Sequence, residues 1–419
     1  MSGRRPVAPG TSPCRFCGTA LRHTVVDLGV SPLCESYVSP ERVHEMEPFY
    51  PLHAYVCEGC WLVQVREYVR PEEIFSEYAY FSSYSESWLA HSRAYVDAIV
   101  PRLGLDPRSL VIEVGSNDGY LLQYFVARGI PALGVEPARN VAAAAVARGV
   151  PTLTAMFGPE TARALVAQGR RADLVVGNNV LAQVHDLNGF VASLGEVLRP
   201  DGVISLEFPH LLRLMEENQF DTIYHEHFSY FSLAVAERIF AANGLTLFDV
   251  EELPTHGGSL RVFAQHAAGP ARPVTDEVSR LRERERAAGL ERLERYASFH
   301  EQVHETKRKL LDFLIRAKRD GKRVAGYGAP GKGNTLLNYC GIRTDFLDYT
   351  VDRNPYKQGK LLPGSRIPIC APERIMESRP DYVLILPWNL REEVMAQMAG
   401  IREWGGRFVV PIPEVKVYP

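Results

Sequence analysis

The 419-residue chain has no strong charge imbalance and no long apolar run, and each shortage excludes a class of protein. Its 47 basic and 50 acidic residues give a net charge of −3, so no positive excess indicates binding to nucleic acid or to an anionic membrane. The N-terminal Met1–Arg5 leads into proline and glycine rather than into a secretory apolar core, and no bilayer span is evident. We therefore expect a cytoplasmic protein without nucleic-acid or membrane partners.

Cysteine is also scarce, but four of the seven cysteines form two pairs with the spacing C-x-x-C, Cys14 with Cys17 and Cys57 with Cys60. Each pair can place two thiolates on one ion, whereas disulfides would be awkward in a reducing cytosol. A redox dithiol would need only one pair in a thioredoxin-like βαβ context, which this region lacks. The pairs predict a structural zinc site with no open coordination position, and therefore no catalytic role.

Length and pattern divide the chain into four regions, because one hydrophobic core rarely serves so many residues. Residues 1–72 are irregular and rich in proline and cysteine. Strands and helices alternate over 73–272, which predicts a mostly parallel sheet with helices on both faces. A charged helical segment over 273–320 is expected to be an interdomain strut, and a second α/β unit covers 321–419. We expect strands at 50–56, 109–114, 132–136, 172–177, 203–207, 259–264, 323–328, 346–352 and 382–386.

The most informative segment is Ile112-Glu113-Val114-Gly115-Ser116-Asn117-Asp118-Gly119, which turns from a short apolar strand into a helix expected over 120–128. Gly115 and Gly119 are expected to let the backbone turn sharply and a ligand approach closely. The next strand ends in Glu136, where a doubly wound fold places an acid against ribose hydroxyls. The third glycine of a pyrophosphate fingerprint is missing, and Glu113 adds negative charge, so the pattern favours a cationic nucleoside ligand. A turn without a ligand is the alternative.

A second glycine turn follows the strand predicted at 323–328, and it resembles both G-x-G-x-x-G and the start of a P-loop. Position 333 is glycine, whereas a P-loop needs serine or threonine there to hold magnesium, so we do not expect ATP hydrolysis. A glycine turn, a helix N-terminus, Lys332, Asn334 and Thr335 suit a pyrophosphate held without metal. We favour the diphosphate of a nucleotide sugar; a purely structural turn and a second dinucleotide site are the alternatives.

The third cluster of polar residues is Tyr224-His225-Glu226-His227, which is too polar for an ordinary core segment. It is not the H-E-x-x-H motif of zinc proteases. If the segment is extended, His225 and His227 point one way while Tyr224 and Glu226 point the other, although a loop would relax that rule. A hydrogen-bonded cluster that only supports the sheet is the alternative to a catalytic site.

These motifs together resemble the nucleotide-sugar C-methyltransferases of antibiotic deoxysugar pathways, including enzymes that methylate C3 of dTDP-4-keto-deoxysugars. The resemblance covers nearly the whole chain and also includes the segment His256-Gly257-Gly258-Ser259-Leu260-Arg261. It implies an α/β protein with a zinc-binding module (1–72), a class I S-adenosylmethionine-dependent methyltransferase Rossmann-like domain (73–272), a connecting helical segment (273–320) and a C-terminal Rossmann-like nucleotide-sugar-binding domain (321–419). The implied S-adenosylmethionine-binding residues are Glu113, Gly115, Asn117, Gly119, Glu136 and Asn178.

The resemblance also assigns chemistry to the polar cluster. A methyl group can be transferred to a sugar carbon only when that carbon lies next to a ketone and loses its proton, which is possible at C3 or C5 of a 4-keto sugar. His227 corresponds to the general base, because a neutral imidazole can accept that proton near pH 7. Tyr224 and Tyr78 would donate hydrogen bonds to the enolate oxygen, and Glu226 would orient the base or bind a sugar substituent.

One position departs from the family pattern, because Gln183 stands where a histidine often follows Asn-x-x-Ala. Glutamine can donate a hydrogen bond to the ketone but cannot exchange a proton near neutrality, so that work would pass to His227 or His185. Three other functions remain open: C5 methylation, O- or N-methylation with the same cofactor, and a nucleotide-sugar scaffold without activity. The oligomeric state is left open by the sequence, with a monomer among the possibilities.

Overall fold

The computed structural model describes residues 12–70, 74, 81–270 and 272–419. Its strands are β1 His23–Ser31, β2 Tyr50–Val56, β3 Val63–Val65, β4 Val111–Val114, β5 Ala132–Val135, β6 Thr152–Leu153, β7 Ala172–Asn178, β8 Leu198–Pro209, β9 Ser229–Tyr230, β10 Leu245–Leu253, β11 Ser259–His266, β12 Val324–Tyr327, β13 Thr350–Val351, β14 Ile369–Cys370, β15 Tyr382–Ile385, β16 Arg407–Val410 and β17 Lys416–Tyr418. Its α-helices are α1 Glu86–Leu103, α2 Gln123–Val126, α3 Arg139–Ala147, α4 Pro159–Ala167, α5 Leu187–Val197, α6 Leu211–Glu216, α7 Leu233–Ala242, α8 Asp276–Ala287, α9 Leu293–Ala297, α10 Phe299–Arg319, α11 Gly331–Cys340, α12 Glu373–Ser378 and α13 Arg391–Gln397. None of these helices combines the length and the apolar composition needed to cross a bilayer.

The central sheet has the order β10-β11-β8-β7-β4-β5-β6. The pairs from β6 across to β8 are parallel, as predicted, and their strands are buried apolar runs because helices cover both faces. Strand β11, predicted at 259–264, runs antiparallel to both β8 and β10, so the sheet is mostly but not wholly parallel, as the sequence indicated. Only residues 254–258 join β10 to β11, which is far too short for the crossover that a parallel pair requires.

The C-terminal sheet has the order β14-β13-β12-β15-β16-β17 and is parallel except for its last strand. The predicted strands at 323–328 and 382–386 form β12 and β15, whereas only Thr350–Val351 of the segment 346–352 is strand. One strand of each sheet leads into a glycine turn. This strand is β4 in the central sheet and β12 in the C-terminal sheet. Both sheets therefore present a doubly wound arrangement with loops at the carboxyl ends of their central strands.

The N-terminal sheet is antiparallel and has the order β1-β2-β3-β9. Its last strand, β9, comes from the middle of the chain and directly follows the Tyr224–His227 segment. The pairing is extended by a hydrogen bond of 3.1 Å from Val65 N to Phe228 O. The cysteine-rich N-terminal region is therefore joined by a strand to the loop that carries the predicted base.

The long helix α10 is more than the solvated strut that its charge suggested. One face of it is buried in a core that also contains residues of β1, β2 and the C-terminal sheet, namely Phe299, Val303, Leu310, Leu314 and Ala317. Its charged residues occupy the opposite, exposed face, as in an amphipathic helix. The helix thus fixes the C-terminal unit against the N-terminal sheet.

Candidate active site

A cavity of about 890 Å³ lies where the carboxyl ends of the two parallel sheets face each other. Its walls come from the loops after β4, β5 and β7 on one side and after β12, β13 and β15 on the other. Ligands of doubly wound folds bind at this end of the sheet, and the volume lies in the upper part of the range of about 300–1,000 Å³ for ligand pockets. Of the predicted site residues, the following line it: Gly115, Asn117, Glu136, Asn178, Gln183, Tyr224, His227 and Lys332.

The first half of the cavity is organised around the Glu136 carboxylate, at the end of β5. One of its oxygens accepts a hydrogen bond from Asn117 N at 2.9 Å and the other accepts one from Ala138 N at 2.9 Å. Gly115, with φ of +69°, makes the turn before Asn117. The carboxylate is thus held rigidly at the cavity wall with lone pairs left for a ligand, which fits a carboxylate that binds ribose hydroxyls.

Two residues of the same motif have a different role from the one expected. Gly119 does not line the cavity; a Cβ there would lie 2.9 Å from Val150 Cγ2, so this glycine allows close packing of the chain rather than ligand approach. Glu113 is fully buried behind the cavity wall. Burial raises the pKa of Glu113 well above its ordinary value, which favours the neutral form and not the negative wall that the sequence suggested.

The second half of the cavity repeats this cradle with Asp352, which sequence analysis missed. Asp352 Oδ2 accepts a hydrogen bond from Ala329 N at 2.7 Å, and Oδ1 accepts one from Asn354 N at 2.8 Å. As Glu136 follows β5, Asp352 follows β13, and each acid bonds a backbone N–H of the glycine turn on the neighbouring strand. The signal available in the sequence was the acid that ends the strand after each glycine turn.

Lys332 is held in the same half of the cavity by two contacts. Its Nζ donates a hydrogen bond to Asn389 Oδ1 at 2.9 Å and lies 4.5 Å from the centre of the Trp388 ring. Burial lowers the pKa of Lys332 to about 8, and nearby Asp221 opposes that shift. Asp221 in turn accepts a hydrogen bond from Trp388 Nε1 at 2.8 Å. A partly buried cation held this way at the cavity wall suits a phosphate ligand.

Asn334 and Thr335, predicted to contact the diphosphate, are turned away from the cavity. Asn334 Nδ2 donates to Cys34 O at 2.6 Å, and Thr335 Oγ1 donates to Ile223 O at 3.1 Å. Both side chains are buried and tie α11 to the N-terminal region and to the loop before Tyr224. They therefore fix the position of that loop and do not form the ligand contacts we expected.

His227 and Tyr224 lie together in the wall of the cavity. The segment is a turn and not an extended strand, since His227 N bonds Tyr224 O at 3.0 Å, and the two rings lie 4.1 Å apart. His227 Nδ1 lies 3.2 Å from Thr222 O, a group that can only accept, so the proton resides on Nδ1. Nε2 is then the free acceptor, and Tyr224 Oη donates to it at 3.0 Å. Burial lowers the pKa of His227 to about 3, so the imidazole is neutral at pH 7.

The two other residues of this segment point elsewhere, which corrects the face assignment made for an extended strand. His225 Nε2 contacts Pro51 O at 3.2 Å, on the N-terminal sheet. Glu226 accepts a hydrogen bond from Cys34 Sγ at 3.1 Å and lies outside the cavity lining. Burial raises the pKa of Glu226 to about 7. Glu226 therefore contacts neither His227 nor the open part of the cavity.

Gln183 lines the cavity, as does His185, whose Nδ1 is paired with Glu67. The structure adds another imidazole that the sequence-based site did not include, His256, which lines the cavity and bonds Asn179. Tyr78 lies outside the described residues.

The four predicted metal ligands converge in the N-terminal region. Their sulfur atoms all lie within 4.8 Å of one another, with Cys14 and Cys60 3.6 Å apart and Cys17 and Cys57 3.5 Å apart. Four sulfurs at the zinc bond length of about 2.3 Å in a tetrahedron are about 3.8 Å apart, so the donor set and spacing fit zinc. Gln64 Nε2 donates to Cys14 Sγ at 3.1 Å, which supports a thiolate there.

Three family models match the chain in order. Residues 14–75 match one described as "Putative zinc binding domain", residues 88–250 match "Methyltransferase domain", and residues 254–413 match "C-methyltransferase C-terminal domain". The first match contains the cysteine cluster, the second contains most of the central sheet, and the third contains most of the C-terminal sheet.

Individual proteins resemble the chain to different extents. C-methyltransferase NovU of Streptomyces niveus is 39% identical over 404 residues, which is 96% of this chain and 96% of that protein. A ubiquinone biosynthesis O-methyltransferase of Chelativorans sp. (strain BNC1) is 26% identical over 120 residues, which is 26% of this chain and 47% of that protein. Among solved structures, magnesium protoporphyrin IX methyltransferase of Synechocystis PCC 6803 with bound SAM has a TM-score of 0.32 at 16% identity, covering 43% of this chain and 81% of that one.

Proposed function

The chain belongs to the C-methyltransferase family, and on that premise we propose that it methylates a ring carbon, C3, of a dTDP-4-keto-deoxysugar in the biosynthesis of an antibiotic deoxysugar. Its fold is the α/β class I S-adenosylmethionine-dependent methyltransferase Rossmann-like fold with an N-terminal zinc-binding module. S-adenosylmethionine and a structural zinc ion are its cofactors. The cofactor supplies an electrophilic methyl group on a sulfonium.

One observation carries this proposal: two ribose-type carboxylate cradles face a single cavity, and a neutral histidine lies in the wall between them. Glu136 with Asn117 and Asn178 would hold the nucleoside of S-adenosylmethionine. Asp352 would hold the ribose of the nucleotide sugar, and Lys332 its diphosphate. A protein that uses two nucleoside ligands at once needs two such cradles, whereas a protein with one nucleoside ligand does not.

In the proposed reaction, His227 removes the proton from the carbon next to the ketone. Its Nε2 carries the lone pair that accepts the proton, and Thr222 O holds Nδ1–H so that the ring keeps this tautomer. Tyr224 Oη donates to Nε2 before the substrate binds and is close enough to turn toward the ketone oxygen. The enolate carbon then takes the methyl group, and the ketone re-forms.

The four-part division at 1–72, 73–272, 273–320 and 321–419, with the C-terminal unit binding the nucleotide sugar, is part of the proposal. So is a cytoplasmic location, supported by the seven cysteines, none of which is paired in a disulfide. C5 is the alternative carbon, and O- or N-methylation is the alternative reaction. Methylation at C5 requires the sugar to be enolised, as methylation at C3 does, whereas O- and N-methylation do not. Enolisation therefore distinguishes C-methylation at either carbon from methylation of oxygen or nitrogen.

We expect the protein, given a dTDP-4-keto-deoxysugar and S-adenosylhomocysteine in D₂O, to exchange the proton at the methylated carbon for deuterium. With S-adenosylmethionine, NMR should show a new C-methyl group at that same carbon, which identifies C3 or C5. A methylated oxygen or nitrogen without exchange would replace our proposal with one of the alternatives. Binding of dTDP with neither exchange nor methylation would favour the scaffold.

The two cradles can be told apart by a reciprocal pair of isosteric variants. Glu136→Gln replaces an acceptor oxygen by an amide donor and should raise the Kd of S-adenosylhomocysteine about 10- to 100-fold, the usual cost of a hydrogen bond to a charged group. Its Kd for dTDP should not change. Asp352→Asn should do the reverse. Isothermal titration calorimetry measures all four values.

Each of these variants is the matched control of the other, because both alter a carboxylate that accepts two backbone hydrogen bonds. If either variant weakened both ligands equally, loss of structure would explain the result and our assignment of the cradles would fail. If Glu136→Gln weakened dTDP alone, the two ligands would have to be exchanged between the sites.

A further inference from the structure

His256 stands on a short loop between β10 and β11 in a conformation that costs energy. Its φ is +54°, and the next two residues, Gly257 and Gly258, have φ of +92° and +120°. A non-glycine residue in the left-handed region is uncommon, and such strain persists only where the surrounding structure enforces it. A Cβ at Gly257 would lie 2.5 Å from the Trp388 ring, so the loop is pressed against the C-terminal unit.

The ring of His256 is oriented by a residue that is itself in the left-handed region. Asn179, with φ of +58°, places Nδ2 3.0 Å from His256 Nε2. An amide nitrogen can only donate, so Nε2 accepts and the neutral ring carries its proton on Nδ1. Trp88 packs beside the ring at a centroid distance of 5.0 Å. Within the described part of the chain, Nδ1 has no hydrogen-bond partner, which leaves this N–H for a ligand in the cavity.

We propose that His256 is a second catalytic imidazole, whose Nδ1–H donates a hydrogen bond to the ketone oxygen of the substrate as it becomes an enolate, with Asn179 as its positioning residue. The inference rests on the proposed function and deepens it. It names the hydrogen-bond donor to the negative charge that forms on the ketone oxygen when His227 removes the proton from the neighbouring carbon.

His227 Nε2 takes the proton from the carbon next to the ketone, the C–H electron pair forms a ring C=C bond, and the carbonyl π pair moves to oxygen. His256 keeps its proton and only shares it with that oxygen. The C=C pair then forms the bond to the methyl carbon, the bond from that carbon to the sulfonium sulfur would break with its electron pair left on sulfur, and an oxygen pair re-forms the C=O bond. The proton on His227 passes to solvent.

The charges around the two rings agree with stabilisation of an anion. The pKa of His256 is lowered to about 4 by burial and by Lys332 and His91, while Glu207 opposes the shift. His256 and Lys332 in turn help burial to lower the pKa of His227. These neighbours come from α1, β8 and α11 as well as from the loop of His227. The Lys332 ammonium favours negative charge in this part of the cavity, whereas the Glu207 carboxylate opposes it and is itself paired with Arg261 at 2.7 Å.

The test compares His256→Ala with His256→Gln, which keeps an N–H donor. Deuterium exchange into a dTDP-4-keto-deoxysugar and single-turnover methylation are measured. We expect His256→Ala to slow both about 10²-fold, the usual effect of removing one donor to an oxyanion. His256→Gln should recover at least about half of that loss on a logarithmic scale. Melting temperature and the Kd of S-adenosylhomocysteine should stay close to those of the parent protein.

Asn179→Asp gives a readout that a structural role would not produce. A carboxylate would accept from His256 Nε2–H, so Nδ1 would donate only while the ring is protonated, and exchange should fall as pH rises through the new pKa of the ring. The parent protein, whose neutral ring already donates from Nδ1, should lack this decline. The other titratable groups around the two rings are unchanged in this variant, so their effect on the pKa of His256 should be the same as in the parent protein. These groups are Lys332, His227, His91 and Glu207.

Failure of this inference differs from failure of the proposed function. If the parent protein exchanges deuterium and His256→Ala exchanges equally fast, His256 is not the donor, and the proposed function stands. An equal loss in the alanine and glutamine variants with a lowered melting temperature would also reject the donor role. If the parent protein neither exchanges nor methylates carbon, the proposed function itself is rejected.

Discussion

His227→Ala should reduce the rate of C-methylation by about 10³-fold, within the range lost when a general base is removed. The His227 ring is buried and neutral, and its Nε2 can accept the proton of the substrate. The hydrogen bond from Nδ1 to Thr222 O fixes this tautomer. Single-turnover kinetics and deuterium exchange should fall together, because both depend on proton removal. Affinity for S-adenosylhomocysteine should hardly change, since Glu136 is positioned by other contacts.

His225→Ala is the matched control for this prediction. His225 is a buried histidine two residues away, but its ring contacts Pro51 O and lies outside the cavity lining. It should lower stability more than it lowers exchange in the folded protein. If His227→Ala kept the parent rate of exchange, the base would lie elsewhere, and His185 or His256 would be the next residue to examine.

Removing the zinc ligand with Cys57→Ser should lower the melting temperature by about 10 °C or more and abolish zinc binding. Structural zinc contributes folding free energy directly, and Cys57 is fully buried. The cysteine cluster shares its core with apolar residues of the central sheet and its helices. The damage should therefore spread beyond the N-terminal region, and it can be measured by differential scanning calorimetry with metal analysis.

Cys370→Ser is the control, since that thiol is partly exposed and distant in sequence from the cluster. It should leave both zinc content and melting temperature unchanged. A Cys57→Ser protein that kept its zinc and its melting temperature would show that the four sulfurs do not form the metal site that their spacing indicates.

Local patterns in the sequence predicted the parts of the site that one strand and one turn determine. Glu136 and Gly115 are examples, because the strand, the glycine and the acid follow one another along the chain and their geometry is set by the βα unit. The same reasoning failed for Asn334 and Thr335. Which side of a helix faces a ligand depends on what packs against the other side, and here that is Cys34 and Ile223 from distant segments.

The Tyr224–His227 segment shows the same limit more sharply. Residue types predicted a polar catalytic cluster, but the alternation rule for extended chains separated two residues that a turn brings into contact. Glu226 was misplaced for the same reason, since its partner Cys34 lies in the N-terminal region. A pattern along the chain cannot reveal a partner that is 192 positions away.

The pairing of β3 with β9 limits how this molecule can be divided or recombined. In a fragment made of residues 81–272 alone, the strand Ser229–Tyr230 would be an unpaired edge. The Tyr224–His227 loop that precedes this strand would also lose the N-terminal sheet beside it. Grafting the N-terminal region of a relative onto this chain would need a matching backbone register at this one short strand. New substrate preferences should therefore arise more easily by point changes in the cavity loops than by exchange of whole modules.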